Sequence, residues 1–369
     1  MKRLWIMPML AAALMISITA YAESTEPQES EQVLESQEDQ ESQEADSDMM
    51  EQRQPGERDG ERPDGVQNNG QNGGPDGGRG GQGGQGGGMV NQSSEPDEEF
   101  QAILDEVQDK YQLLTFTDPD TGFEMQYELF VPEDYDEAES YPMIMFIPDS
   151  RAAGQEPEFS LTIGWGGVIW ATEEEQAKHP CFVLIPIFTE TIVDDDFNTS
   201  DQIEVAVNLI DNLCSTYSID TNRLYTTGQS MGGMTSFYLN VAYPDLFAAS
   251  LFVGSQWNNE ILDVLEEDKF FYIVSAGDDK AFTGQTGLME VFDEDGVPYT
   301  HEEWSAQEDE ETQNASVEAM LQEGLNANFI TFTKGTTVEG GASGSEHLTS
   351  FDYAYKLEAV RDWLFAQSK

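Results

Sequence analysis

The stretch Gly228-Gln229-Ser230-Met231-Gly232-Gly233 decides the fold. It matches Gly-x-Ser-x-Gly, a pattern in which a sharp turn between a strand and a helix lifts a serine hydroxyl out of a sheet. Residues 223–227 before it favour a short buried strand, and residues 234–242 after it have the spacing of an amphipathic helix. Because the motif stands between a strand and a helix, the sequence predicts that Ser230 is an exposed nucleophile.

The first 97 residues do not have the composition of a folded domain. Residues 1–22 start with Lys2 and Arg3, continue with a largely apolar run and end in Ala20-Tyr21-Ala22, which is typical of a signal peptide. We therefore expect cleavage after Ala22 and a secreted, extracellular protein without membrane insertion; an uncleaved N-terminal anchor is the alternative. Residues 23–97 are first rich in Glu, Gln and Ser and then in Gly, which predicts a disordered tether. The alternative for this tether is a recognition tail for a cationic partner.

The remaining residues, 98–369, are enough for one large domain with one core. The formal charge of the whole chain is −56 and its pI is about 4.1, so nucleic acid and anionic membrane surfaces are not expected as partners. The two cysteines, Cys181 and Cys214, fall in a strand pattern and a helix pattern, and we expect free thiols rather than a disulfide. The sequence leaves the oligomeric state open.

No metal or other cofactor is expected. The cysteines are too few for a metal site, and the three histidines are scattered along the chain. Asp194, Asp196 and Asn198 resemble the start of a calcium loop, but the glycine and the final glutamate of that pattern are missing.

Strand and helix patterns alternate through residues 98–369. Nine segments have strand patterns: 112–117, 125–131, 143–147, 181–185, 223–227, 247–253, 270–276, 298–304 and 328–333. Five segments have helix patterns: 98–111, 201–217, 234–242, 316–323 and 351–367. This alternation, with the serine turn near its middle, predicts an α/β-hydrolase fold in which a mostly parallel sheet of about eight strands has helices on both faces.

A nucleophilic serine needs a base, and His347 is the candidate. His179 precedes the nucleophile in the chain, which is the wrong side for this fold, and His301 lies in a strand pattern. His347 follows a glycine-rich segment just before the last predicted helix, where this fold carries its base. The alternative is that His347 only begins that helix.

The acid that orients the base should follow the strand 270–276. Asp278 and Asp279 are adjacent there, directly after Gly277. One is expected to hold the histidine and the other to face solvent, and we favour Asp278. The chain order is then Ser, Asp, His, as this fold requires.

Two backbone N–H groups are needed to bind the oxyanion of a tetrahedral intermediate. Met231 is the first candidate, because it follows the nucleophile and begins a helix. The second donor should follow the strand 143–147. Pro148 has no N–H, so we favour Ser150, with Asp149 and Arg151 as alternatives.

Three further side chains are predicted to contact substrate. Trp165 lies in the segment 161–170, and Trp257 follows the strand pattern 247–253. Both are able to stack on an aromatic acyl group or a sugar ring. Gln229 is included because it adjoins the nucleophile. Packing of the tryptophans within lid segments is an equal alternative.

The motif Asp220-x-x-Arg223-x-Tyr225-x-x-Gly228-x-Ser230-Met231-Gly232-Gly233 resembles bacterial exported esterases related to polyhydroxybutyrate depolymerases and feruloyl esterases, a group also called predicted peptidases. Weaker similarity extends to residues 179–184 and 361–365 and covers most of 112–367. The resemblance implies Ser230 as nucleophile, His347 as base and an aspartate after Gly277 as acid. It also implies a small-molecule or polysaccharide-linked ester, acetyl or feruloyl, as substrate. One departure is that these relatives commonly carry His-Gly where this chain has Pro148-Asp149.

Three functions follow as hypotheses. The first is an exported serine esterase that acts through an acyl-enzyme. The second is a serine peptidase of the same fold, since the same three residue types serve both reactions. The third is a binding module that keeps the fold without catalysis.

Overall fold

The computed structural model describes residues 98–341 and 344–369. The predicted signal peptide and tether, residues 1–22 and 23–97, lie outside the described residues. None of the helices in the described part has both the length and the apolar character needed to cross a bilayer.

A nine-stranded sheet organises the chain. Its strands are β1 Gln112–Thr117, β2 Glu124–Phe130, β3 Tyr141–Ile147, β4 Phe182–Pro186, β5 Ile219–Gln229, β6 Ala249–Val253, β7 Phe270–Ser275, β8 Tyr299–Trp304 and β9 Ala327–Phe332. The order across the sheet is β1-β2-β4-β3-β5-β6-β7-β9-β8. Only β2 runs against its neighbours, pairing antiparallel with β1 and β4, whereas the other pairings are parallel. The predicted mostly parallel sheet is confirmed, with one strand more than the eight expected.

Helices pack on this sheet. They are α1 Glu98–Val107, α2 Phe159–Thr162, α3 Glu173–Lys178, α4 Gln202–Thr216, α5 Met231–Ala242, α6 Asp279–Asp295, α7 Glu310–Leu321, α8 Glu346–Lys356 and α9 Glu358–Phe365. The described buried apolar residues form two clusters. Alternate residues of β7 belong to different clusters: Phe270 and Tyr272 to one, Phe271 and Ile273 to the other. The sheet therefore lies between two apolar layers, which is why its central strands, such as β4, β6 and β7, are nearly continuous apolar runs.

The helices differ from the prediction in several places: the short helices α2 and α3 were not predicted, and α7 begins six residues before the predicted start. The C-terminal helix expected over 351–367 is two helices, α8 and α9, separated at Leu357, whose backbone is extended. Leu357 is buried, so the apolar pattern continues through the break and hides it from the sequence. Helix α6 was not predicted, because Gly284, Gly287 and several polar residues weaken its helical pattern.

Both cysteines are free, as predicted. Cys181 is buried just before β4, and Cys214 is half-buried on α4. Burial raises the pKa of both thiols, that of Cys214 to about 11, so neither is an activated thiolate at neutral pH.

Candidate active site

The turn from β5 to α5 holds Ser230 in a strained conformation. Its φ is 52° and its ψ is −119°, a region that non-glycine residues rarely occupy. The Ser230 N–H donates to the carbonyl of Val253 at the end of β6, with 3.0 Å between nitrogen and oxygen. The end of the neighbouring strand thus holds the nucleophile position in place.

Glycines flank Ser230 because backbone segments approach closely on both sides. A methyl group at Gly232 would overlap the carbonyl of Ile147 at the end of β3. A methyl group at Gly228 would overlap the backbone of Gly232. The glycines of the motif therefore let α5 begin directly against the sheet.

His347 accepts or donates one hydrogen bond at each ring nitrogen. Nε2 is 2.9 Å from Ser230 Oγ, and Nδ1 is 2.5 Å from Asp278 Oδ2. Ser230 follows β5, Asp278 follows β7, and His347 lies in the first turn of α8. The carboxyl ends of parallel strands thus bring a serine, an imidazole and a carboxylate into one hydrogen-bonded series.

The two candidate acids have different surroundings. Asp278 is 9% exposed, and its other oxygen accepts from the N–H of Ala281, so it caps α6. The Asp279 side chain is 95% exposed and lies 3.9 Å from Lys334 Nζ. The structure therefore brings Asp278, and not Asp279, to the histidine.

Glu346 anchors the segment that carries His347. Its carboxylate accepts from the Ser275 hydroxyl at 2.7 Å and from the Gly335 N–H at 2.7 Å. The ring of Phe351 packs edge-on against His347, with 5.0 Å between centroids. Glu346 was missed by sequence reasoning, because its partners are far away in the chain.

The other two histidines have partners elsewhere. His179 Nε2 is 2.7 Å from Asp362, and its ring stacks on Phe365. His301 lies in the edge strand β8 with Nε2 3.0 Å from Thr331 Oγ1, and burial lowers its pKa.

A cavity of about 460 Å³, here called the Ser230 cavity, opens above the serine. The residues that line it are Ser150, Thr191, Val193, Asp194, Asp195, Ser230, Met231, Met234, Gln256, Asp278, Lys280 and His347. Its volume falls in the usual range for small-molecule sites.

Both favoured oxyanion donors line this cavity. Met231 is the first residue of α5, and the first N–H groups of a helix have no partner within the helix. Ser150 begins the turn after β3. Neither alternative, Asp149 or Arg151, is among the residues that line the cavity, and the N–H of Arg151 already donates to the Asp149 carboxylate at 2.9 Å.

The structure does not bring the three predicted substrate contacts to the Ser230 cavity. Trp165 is 4% exposed and lines a different cavity, beneath Lys356 Nζ, which is 4.1 Å from its ring centroid. Trp257 is 4% exposed and packs edge-on against Phe197. Gln229 is wholly buried and donates to Asp149. The tryptophans fill the structure around the site, which was the alternative weighed for them.

Residues from distant segments line the cavity instead. Asp195, in the β4–α4 connection, accepts from Lys280 Nζ at 2.5 Å and from Gln256 Nε2 at 3.1 Å. Nearby, the Asp194 carboxylate accepts hydrogen bonds from the Asn198 side chain and from backbone N–H groups of its own loop. These bonds lower the pKa of Asp194, and the bond from the Asn198 side chain has the largest effect. In the sequence, the part of the cavity lining formed by Asp194 and Asp195 was marked only by the acidic run that resembles a calcium loop.

Chemically, the series Ser230–His347–Asp278 is able to move a proton. His347 Nε2 is close enough to take the serine proton, and the Asp278 carboxylate is placed to hold the proton on Nδ1. The serine would then be a nucleophile in a cavity that Met231 and Ser150 also line.

No family model matches the chain, and no curated protein does. Among solved structures, a thermostable esterase superposes with a TM-score of 0.56 at 24% identity, covering 71% of this chain and 64% of that one. The chain thus spans less than two thirds of the length of that esterase. A feruloyl esterase module from Clostridium thermocellum gives a TM-score of 0.39 at 15% identity, covering 68% of this chain and 87% of that one. A ferulic acid esterase from the anaerobic fungus Anaeromyces mucronatus gives 0.42 at 11% identity, covering 67% and 89%.

The strand order, the strained serine turn and the likeness to the thermostable esterase agree with one another. The chain adopts the α/β-hydrolase fold.

Proposed function

We propose that the chain is a serine hydrolase that cleaves carboxylic esters through an acyl-enzyme. The observation that carries this proposal is the hydrogen-bonded series from Ser230 through His347 to Asp278. A strained serine, a base on one side of it and a buried carboxylate behind the base are the parts that acyl transfer needs.

In the first half-reaction, Ser230 Oγ attacks the carbonyl carbon of the ester while His347 Nε2 takes its proton. The carbonyl oxygen becomes an oxyanion that accepts from the N–H groups of Met231 and Ser150. When this tetrahedral intermediate collapses, His347 gives the proton to the departing alkoxide, and an ester of Ser230 remains.

In the second half-reaction, water attacks the acyl group on Ser230, and His347 takes the proton of the water. Collapse of the second tetrahedral intermediate returns that proton to Ser230 and releases the carboxylic acid. Asp278 stabilises the imidazolium in both halves and keeps the tautomer that has its proton on Nδ1.

The proposed substrates are acetyl or feruloyl esters of polysaccharides, and the proposed location is outside the cell. The motif resemblance and the signal-peptide pattern of residues 1–22 support these proposals. A cavity of about 460 Å³ is of a size that admits an acyl group of this kind.

The test is hydrolysis of p-nitrophenyl acetate and methyl ferulate by the wild type and by Ser230→Ala. We expect the substitution to abolish hydrolysis, and a fluorophosphonate probe to label the wild type but not the variant. Full activity in Ser230→Ala would contradict the proposal. Faster cleavage of aminoacyl amides than of both esters would replace the esterase with a peptidase.

A further inference from the structure

The turn after β3 contains a buried carboxylate that the mechanism above does not use. Asp149 is 2% exposed. Its Oδ1 accepts from Arg151 Nε at 2.8 Å and from the Arg151 N–H at 2.9 Å, and its Oδ2 accepts from Arg151 Nη2 at 2.8 Å. A carboxylate held by a two-pronged guanidinium and by a backbone N–H has little freedom to move.

A fourth hydrogen bond connects Asp149 to the nucleophile turn. Gln229 Nε2 donates to Asp149 Oδ2 at 2.8 Å, and the Gln229 side chain is wholly buried. Gln229 directly precedes Ser230, and Asp149 directly precedes Ser150. One carboxylate therefore bridges the two chain segments that line the base of the Ser230 cavity.

The protonation state of Asp149 agrees with this arrangement. Burial alone would raise the pKa of its carboxyl, but the bonds from Arg151 and Gln229 outweigh burial and hold the pKa below its usual value. The group is thus an anion at neutral pH, and its hydrogen bonds are charge-assisted.

We propose that Asp149 is a positioning residue that fixes the N–H of Ser150 relative to Ser230 Oγ. The inference rests on the proposed function, because it assigns Ser150 as an oxyanion donor. It gives a role to the pair Pro148-Asp149, which stands where the esterases that the sequence resembles carry His-Gly. Oxyanion donors stabilise the transition state only when they are held in place, and a displacement of about 1 Å costs about 100-fold in rate.

The test compares Asp149→Asn with Asp118→Asn. Asp118 is a suitable control because it is 1% exposed, accepts hydrogen bonds from Thr121 and Asn208, and does not line the Ser230 cavity. For Asp149→Asn we expect kcat on p-nitrophenyl acetate to fall about 100-fold, with KM within threefold of the wild type. Inhibition by a trifluoromethyl ketone, which forms a tetrahedral adduct, should weaken by the same factor as kcat/KM. Asp118→Asn should change neither quantity.

A second variant, Gln229→Met, removes the donor to Asp149 while leaving the pair of Asp149 and Arg151 intact. It should lower kcat and ketone affinity by about 10-fold, which is part of the loss expected for Asp149→Asn. If Asp149→Asn does not fold, Gln229→Met is the test of the inference. If the folded variants keep the kcat and the ketone affinity of the wild type, the positioning role of Asp149 is wrong, and the proposed function is unaffected. Absence of Ser230-dependent hydrolysis in the wild type would overturn the proposed function, and with it this inference.

Discussion

Asp278 and Asp279 are neighbours in sequence with opposite surroundings, and they make a matched pair of substitutions. Asp278 contacts His347, whereas the Asp279 side chain is 95% exposed. Asp278→Asn should lower kcat on p-nitrophenyl acetate by about 10⁴-fold, because the amide favours the wrong imidazole tautomer. Asp279→Asn should leave kcat within twofold, and a large loss there would contradict the assignment of the acid.

The residues of the proposed series could be predicted because they follow from chain order. The serine turn has a recognisable pattern, and the acid and base then have expected places after later strands. The substrate contacts could not be predicted in this way. Whether Trp165 or Trp257 faces a cavity depends on which distant side chain covers it, and in this structure Lys356 covers Trp165 and Phe197 packs on Trp257.

At the scale of elements, two ion pairs join α3 to α9 in different environments. Arg361 Nε donates to Glu175 Oε2 at 2.8 Å, and these side chains are 8% and 2% exposed. Lys178 Nζ is 2.5 Å from Glu358 Oε1, and these side chains are 34% and 42% exposed. The same contact between helices thus has one buried and one partly exposed pair.

Breaking the buried pair should be far more costly. Arg361→Met leaves the Glu175 charge buried without its partner and should lower the free energy of unfolding by about 3–5 kcal/mol. Lys178→Met should cost less than about 1 kcal/mol. Urea denaturation followed by circular dichroism measures both, and equal losses would show that burial does not set the strength of this contact. The double variant Glu175→Leu/Arg361→Met should recover much of the loss.

There is a physical reason why the sequence predicts the strands but not helix α6. All nine strand patterns correspond to strands. The central ones are apolar runs because strands of a parallel sheet are buried on both faces, whereas the edge strands β1 and β8 are partly polar and exposed. Helix α6 was missed because its glycines have the appearance of helix breakers. In the structure they are contact points: a methyl group at Gly284 would overlap the Gln256 side chain, and one at Gly287 would overlap Asn259.

At the scale of the whole molecule, Glu128 should make stability depend on pH. It lies in β2, is 3% exposed, and its Oε2 has no hydrogen-bond partner among the described residues. Burial, helped by the negative charge of Glu158, raises the pKa of Glu128 from 4.5 to about 7. A raised carboxyl pKa gives stability that is fully present below pH 4.5 and is lost as the pH rises through about 7.

Glu128→Gln should remove this dependence. We expect the variant to match the wild type near pH 4. At pH 8 it should be more stable by up to about 3 kcal/mol, because a carboxyl pKa of about 7 in place of 4.5 costs about 1.36 kcal/mol per pKa unit once the group ionises. Thermal unfolding from pH 4 to pH 8 measures the difference. Glu124→Gln is the control, because Glu124 lies exposed in the same strand. A difference that stays constant over this range would contradict the assignment to Glu128.

The strained backbone of Ser230 should lower the stability of the whole domain. A non-glycine residue at φ 52° costs the native state on the order of 1–3 kcal/mol, which glycine largely avoids. Ser230→Gly should therefore unfold at a higher temperature than both the wild type and Ser230→Ala, while hydrolysing no ester; a lower melting temperature would refute this. Under our proposal, selection retains a serine at position 230 for its chemistry, although a glycine there would make the protein more stable.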